Sequence, residues 1–149
     1  GLCLDSRRRC VMSTRAVYEF HNLNSKYDNS VVSVYKHHDG YPEGGSFFIK
    51  NAKKRCDSRH FDKKNDLTNR DGMVVAFMTH SHNGGSKSFG TAEEHPDIEF
   101  LYKIYDNERV EIWNVRSWEG EPNVVFDGSI DDAFEKFYIE IEEEEVGVA

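Results

Sequence analysis

Cysteine, proline, methionine and tryptophan are all scarce in this 149-residue chain, which holds three Cys, three Pro, three Met and two Trp. Cys3 and Cys10 fall in the opening stretch, which leaves Cys56 by itself in the remainder. One cysteine builds neither a disulfide framework nor a zinc cluster, and it suits a reducing compartment. No apolar run approaches the roughly 20 residues of a membrane-spanning helix. The opening "GLCLDSRRRC" lacks the apolar stretch of about 7–15 residues that marks a secretory signal. Common catalytic signatures are missing as well: there is no HExxH, CxxC or GxSxG, and no glycine-rich loop with Walker spacing. A phosphodiesterase built on two H-x-S/T motifs is strongly disfavoured, because no histidine has Ser or Thr two positions on.

Aromatic residues, by contrast, are plentiful, with ten Phe and seven Tyr. A packed core is expected rather than disorder. A chain of this length forms one domain that buries roughly two-thirds of its unfolded surface. The arginine-rich residues 1–11 read as a non-native or loose leader, with Met12 as a natural start. The domain is expected over 12–142, and the acidic residues 143–149 as a frayed tail.

Charge is polarised along the chain. From Lys50 to Arg70 eight basic residues face three acids, a net of +5, and from Thr91 onward eighteen acids face four bases, a net of −14. The overall charge of −8 hides this division. A protein so acidic repels nucleic acid, so phosphate binding would have to use a basic patch of Lys50, Lys53, Lys54, Arg55, Lys63 and Lys64. No aromatic-rich binding motif interleaves with these residues, which favours a solvated helix face over a nucleic-acid site.

The pattern of apolar residues predicts the elements. "TRAVYEFH" (14–21) and "VVSVYKHH" (31–38) alternate and read as an antiparallel hairpin, with Val32, Val34, Lys36 and His38 on one face. "DGYPEGG" breaks the second strand, with Gly40 supplying the unusual φ and Pro42 opening a helix. Phe47, Phe48 and Ala52 supply the apolar side of that helix. "MVVAFM" suits a buried helix or a buried strand; a helix over about 67–81 is favoured because "NGG" follows it. "GGSKSFG" reads as a flexible connector rather than a phosphate cradle. Residues 98–115 form a hairpin around "DNE", "NVVF" adds a short strand, and "GSIDDAFEKFYIEI" opens a helix capped by Ser129. The expected fold is α+β: one domain, a mostly antiparallel sheet of four to five strands, and two or three helices on one face.

"VYKHHDGYPEGG" (34–45) concentrates the candidate chemistry. Lys36, His38, Asp39, Tyr41 and Pro42 supply more polar and aromatic groups than a turn needs, so they form a candidate ligand or partner surface. The rival is a metal site drawing on His37, Asp39, His80, His82 and His95, since imidazole and carboxylate suit zinc, iron or manganese. "HSH" would chelate poorly on a helix, where i and i+2 diverge, and better on a strand. No nucleophile is marked: Cys56 lies among lysines with no partner base.

"STRAVYEF", "VYKHHDGYPEGG" and "TAEEHPDIEFLYKIYD" together resemble a family of small proteins of tailed phages and prophages. Members show a TR start, a YxHxDGYP block and a DIEYxY strand, with a tryptophan where this chain has His38. The resemblance implies a phage origin and a cytoplasmic role in an infected host cell, and it carries over no catalytic residue. The expected protein is a non-catalytic binding module for a host or phage protein or a small ligand, without cofactor and without membrane. Nucleic acid is a disfavoured partner, and self-association stays open. The alternative is a metal-dependent hydrolase of nucleotides or nucleic acid.

Overall fold

The computed structural model describes residues 14–23, 30–58, 69–79, 87–116, 118 and 120–137. Its elements are β1 (Ala16–His21), β2 (Val32–Lys36), α1 (Pro42–Ser58), α2 (Asn69–Thr79), β3 (Lys87–Phe89), β4 (Phe100–Tyr105), β5 (Arg109–Asn114), β6 (Asn123–Ser129) and a closing helix α3 over 130–137. The strands form one six-stranded sheet in the order β3-β2-β1-β4-β5-β6. The α+β class is as expected, while the sheet is larger and mixed rather than antiparallel throughout. β1 and β4 run parallel, with Tyr18 beside Tyr102. The other neighbouring pairs are antiparallel. The extra strand is β3, cut from the segment read as a connector: Lys87 pairs with Lys36 and Phe89 with Val34.

Alternation decides which side chains meet the helices, because successive residues of a strand point to opposite faces. Ala16, Tyr18 and Phe20 of β1, Val34 of β2, Phe100, Tyr102 and Ile104 of β4, and Val110 and Ile112 of β5 share one buried cluster. The same cluster takes Phe48, Ile49 and Ala52 from α1, Met73, Ala76 and Phe77 from α2, and Ile130 and Ala133 from α3. All three helices therefore cover one face of the sheet. Phe77 sits over β1, 4.7 Å from the Tyr18 ring and 5.5 Å from that of Phe20. "MVVAFM" is thus helical. Ile49 rather than Phe47 completes the buried side of α1, since Phe47 only packs against the cluster's edge.

The element ends follow local chemistry. Ser129 caps α3 by accepting the Asp132 amide at 3.0 Å. The 106–108 hairpin loop is a three-residue one whose left-handed position is Glu108 (φ 68°), not Asp106 or Asn107. In the turn before α1 the left-handed residue is likewise Asp39 (φ 60°), not Gly40. Gly40 is needed for space: its amide bonds Thr14 O at 2.9 Å, and a Cβ there would lie 2.6 Å from Ala16 Cβ. Gly45, in the first turn of α1, lies flat on Tyr102, where a Cβ would come within 2.3 Å of the phenol Cζ.

Gly45→Ala therefore forces α1 off the sheet. It should destabilise the protein by about 1–3 kcal/mol and lower the melting temperature by roughly 4–10 °C. An unchanged melting curve would show that α1 does not rest on Tyr102 as described.

Candidate functional site

The DGYP turn is held from beneath by buried polar side chains. Lys36 closes β2 facing the helices and is fully buried, with Nζ donating to the His38 carbonyl at 2.7 Å and standing 4.2 Å from the centre of the Phe48 ring. It is therefore not part of an exposed partner surface, although His38 is exposed. Tyr102 Oη donates to the Gly40 carbonyl at 2.5 Å. The Tyr102 ring stacks on that of Tyr18, centroids 4.6 Å apart at 10°. Burial lowers the Lys36 ammonium to about 8; the nearby Asp39 carboxylate opposes that shift and Lys87 adds to it. Burial, with Asp39 and Tyr41 adding to it, holds the Tyr18 phenol far above its ordinary range, and burial does the same for Tyr102. Tyr18 Oη is buried with no hydrogen-bond partner. Pro42 opens α1, and Tyr41 packs against the edge of the core.

The opposite face of the sheet is covered by no helix among the described residues, and there a second group assembles. Tyr35 alternates with the buried Val34 and Lys36 and so points away from the helices. Its ring stacks on His95, centroids 3.8 Å apart at 5°. Its hydroxyl lies 2.8 Å from His37 Nδ1, and Arg15 Nε donates to the same nitrogen at 3.3 Å. An arginine only donates, so Nδ1 must be the acceptor and the ring proton sits on Nε2, an assignment fixed by the hydrogen-bond geometry. Arg15 Nη1 also pairs with Asp97 at 3.1 Å. The His38 ring stands edge-on to His37, centroids 4.6 Å apart at 83°. His95 is set by a tight turn in which the Thr91 amide and hydroxyl both donate to Glu94 and the Glu94 amide donates back to the Thr91 hydroxyl.

The remaining described candidates do not join this group. Among the described residues no three His, Cys, Asp or Glu lie close enough to hold a metal ion. His37, Asp39 and His95 thus make no ligand set among themselves, and His80 and His82 lie outside the described residues. Two residues of the basic patch pair with acids within the fold. Lys50 bonds Asp131, Lys53 lies 3.7 Å from Asp131 and 3.9 Å from Glu108, and Lys54 Nζ stands 5.7 Å from the Phe134 ring. The bond from Lys50 is the main reason that the Asp131 carboxyl is held below its usual range. Arg55 Nε is buried, and Lys63 and Lys64 lie outside the described residues. A shallow cleft lined by Lys53, Cys56, Tyr105, Asp106 and Ile130 opens at the other end of α1 from the DGYP turn.

Sequence reasoning missed Arg15, Tyr35 and Asp97. The alternation of β2 marks Tyr35 as the neighbour of His37 on the open face. Arg15 and Asp97 meet only because β1 and β4 pair in parallel, with the Glu99 amide bonded to Arg15 O at 2.9 Å.

A buried lysine with a lowered pKa makes stability depend on pH. From about pH 8 to the unfolded value of 10.5 the unfolded chain binds a proton that the folded chain does not, so stability rises with pH across that window. Above about pH 10 the buried tyrosines reverse the trend, because the unfolded chain then ionises phenols that the fold keeps neutral. Denaturant unfolding should therefore gain roughly 2 kcal/mol between about pH 7.5 and 9.5, and Lys36→Met should lose most of that gain, with the smaller contribution of the also lowered Lys87 remaining. A flat profile in the unsubstituted protein would contradict the burial of a charged Lys36. No protein-family model, curated protein or solved structure matches the chain, so its role is read from this geometry.

Proposed function

We propose that the protein is a non-catalytic binding module, and that its partner surface is the group Arg15, Tyr35, His37, His38 and His95 on the sheet face that no described helix covers. One observation carries this reading. The interior of the DGYP block is accounted for by the fold, whereas the outward group is not. Gly40 and Gly45 answer close contacts, Lys36 and Tyr102 satisfy turn carbonyls, and Pro42 starts a helix. Nothing in the core needs a tyrosine stacked on one histidine, bonded to a second and flanked by a third. Such a group combines rigid aromatic area with fixed donors, the composition of binding hot spots. His37 Nε2–H is left as the donor of that ring because Nδ1 is used internally.

The resemblance of the TR, DGYP and DIEF blocks to a phage family supports an accessory role inside an infected host cell. The partner is then a host or phage protein, or a small ligand. No helix of the described residues is long and apolar enough to cross a membrane.

The test is partner capture on immobilised protein from host lysate, followed by calorimetric titration with the purified partner. Combined Tyr35→Phe and His38→Ala substitutions should weaken binding at least about tenfold, or about 1.4 kcal/mol, with the melting temperature within a few degrees of the parent. Unchanged affinity in that variant would place the partner surface elsewhere.

A further inference from the structure

At His37 and Arg15 the polar atoms left for a partner are donors. His37 accepts at Nδ1, so its ring presents an N–H at Nε2. Arg15 spends Nε on His37 and Nη1 on Asp97, and it also bonds the Tyr35 hydroxyl. A guanidinium has more donors than these contacts consume, and it has no acceptor. Neighbouring carboxylates already have partners: Glu94 takes the Thr91 amide and hydroxyl, and Glu99 lies 3.8 Å from Arg116. We propose that this group takes a carboxylate of an acidic partner peptide, whose oxygens accept from Arg15 and from His37 Nε2–H while the Tyr35–His95 stack carries the flat group next to it. This rests on the reading of that face as the partner surface, and it names the chemistry of the partner.

The donors lie close together. One carbon separates the two nitrogens of an imidazole, so Nε2–H stands one ring edge from the atom that Arg15 touches. Arg15 is within reach of a partner, its side chain 38% exposed. Asp97 holds one arm of it but is itself 54% exposed, so water screens that pair and the guanidinium stays available to a second carboxylate. The planar fork of an arginine matches the two oxygens of a carboxylate, and charge-assisted bonds of this kind are the strong ones. Arg15 is also held in advance, by His37, Tyr35 and Asp97 at its side chain and by the Glu99 amide at its carbonyl, which reduces the freedom lost on binding. The platform is equally fixed. His95 lies between the Tyr35 ring and the backbone of Gly90, where a Cβ would come within 2.6 Å of His95 Nε2. Two stacked rings offer rigid flat area beside the donors. Overall charge then selects among anions. A chain of net charge −8 holds a polyanion off at long range, whereas a single carboxylate meets little of that repulsion and still gains a charged donor.

The experiment is an NMR titration of the intact, isotope-labelled protein at neutral pH. The probe is a capped peptide with one glutamate beside a phenylalanine, compared with the same peptide carrying glutamine. The glutamate peptide should move the Arg15 Nε, His37 ring and Tyr35 ring signals along one saturating curve, and bind at least about tenfold more tightly than the glutamine peptide. That comparison needs no substituted protein. Arg15→Gln should erase the preference, and Arg15→Lys, which keeps the charge without the fork, should restore part of it. Equal binding of the two peptides, or shifts confined to other residues, overturns the proposal. So does displacement of the glutamate peptide by an equal concentration of a short oligothymidylate, which would assign the face to nucleic acid. The two readings fail separately. A partner surface of different chemistry would still lose capture when Tyr35 and His38 are substituted, while the two peptides bind alike. A partner that docks elsewhere would leave capture unchanged, while the preference for glutamate stands.

Discussion

The hydroxyl of Tyr102, donated to the carbonyl of Gly40, is the contact on which the rest of the structure depends. It joins the centre of the sheet to the turn that launches α1, and it fixes how closely that helix approaches. Gly45 must lack a side chain because α1 lies on the same ring, and Gly40 must lack one because the turn is drawn onto β1. Tyr18 stacks on Tyr102 only because β1 and β4 are parallel and in register. Two phenols, one ammonium and a backbone turn thus form a polar layer between sheet and helix. Buried polar groups in such a layer are costly when unpaired, so its bonds specify one arrangement of the turn rather than several.

The polarity of charge along the chain finds its counterpart across α1 and α3. The basic start of the 50–70 segment lies against the acidic start of the last helix, with Lys50 and Lys53 at Asp131 and Lys53 near Glu108. Asp131 is largely exposed, so these pairs contribute little each. Their effect is to set Lys50 and Lys53 against acids of the fold rather than toward a phosphate backbone. The sheet face that no described helix covers carries its own polar pairing: Glu111 accepts from Tyr105 at 2.9 Å and from Trp113 at 3.0 Å. Both oxygens of that carboxylate are engaged, whereas His37 keeps a donor at Nε2.

Much of the fold was legible in the order of residues. The alternation of Phe100, Tyr102 and Ile104 against Val110 and Ile112 identifies the β4–β5 hairpin, and Ser129 announces α3. The parallel contact of β1 with β4 was not legible, because it joins segments about 80 residues apart and leaves no local pattern. The three residues of β3 are too few for periodicity to register. At the candidate site, Lys36 is grouped by sequence with the polar residues of the turn, whereas its partner is a backbone carbonyl that sequence does not reveal. The histidines stand out in the sequence because a turn does not need them. Arg15 and Asp97, which complete their setting, depend on the same long-range pairing.

The central claim is that the DGYP turn is a structural device pinned by Tyr102, which frees the histidines beside it for another use. Amide hydrogen exchange on Tyr102→Phe tests it most directly, since that change removes one oxygen and leaves the ring. The account predicts that the amides of Gly40 and Gly45 lose protection at least about tenfold, as a buried carbonyl without its donor costs about 1–3 kcal/mol. The β4–β5 hairpin amides should change far less. Equal loss everywhere, or none at the turn, would contradict it.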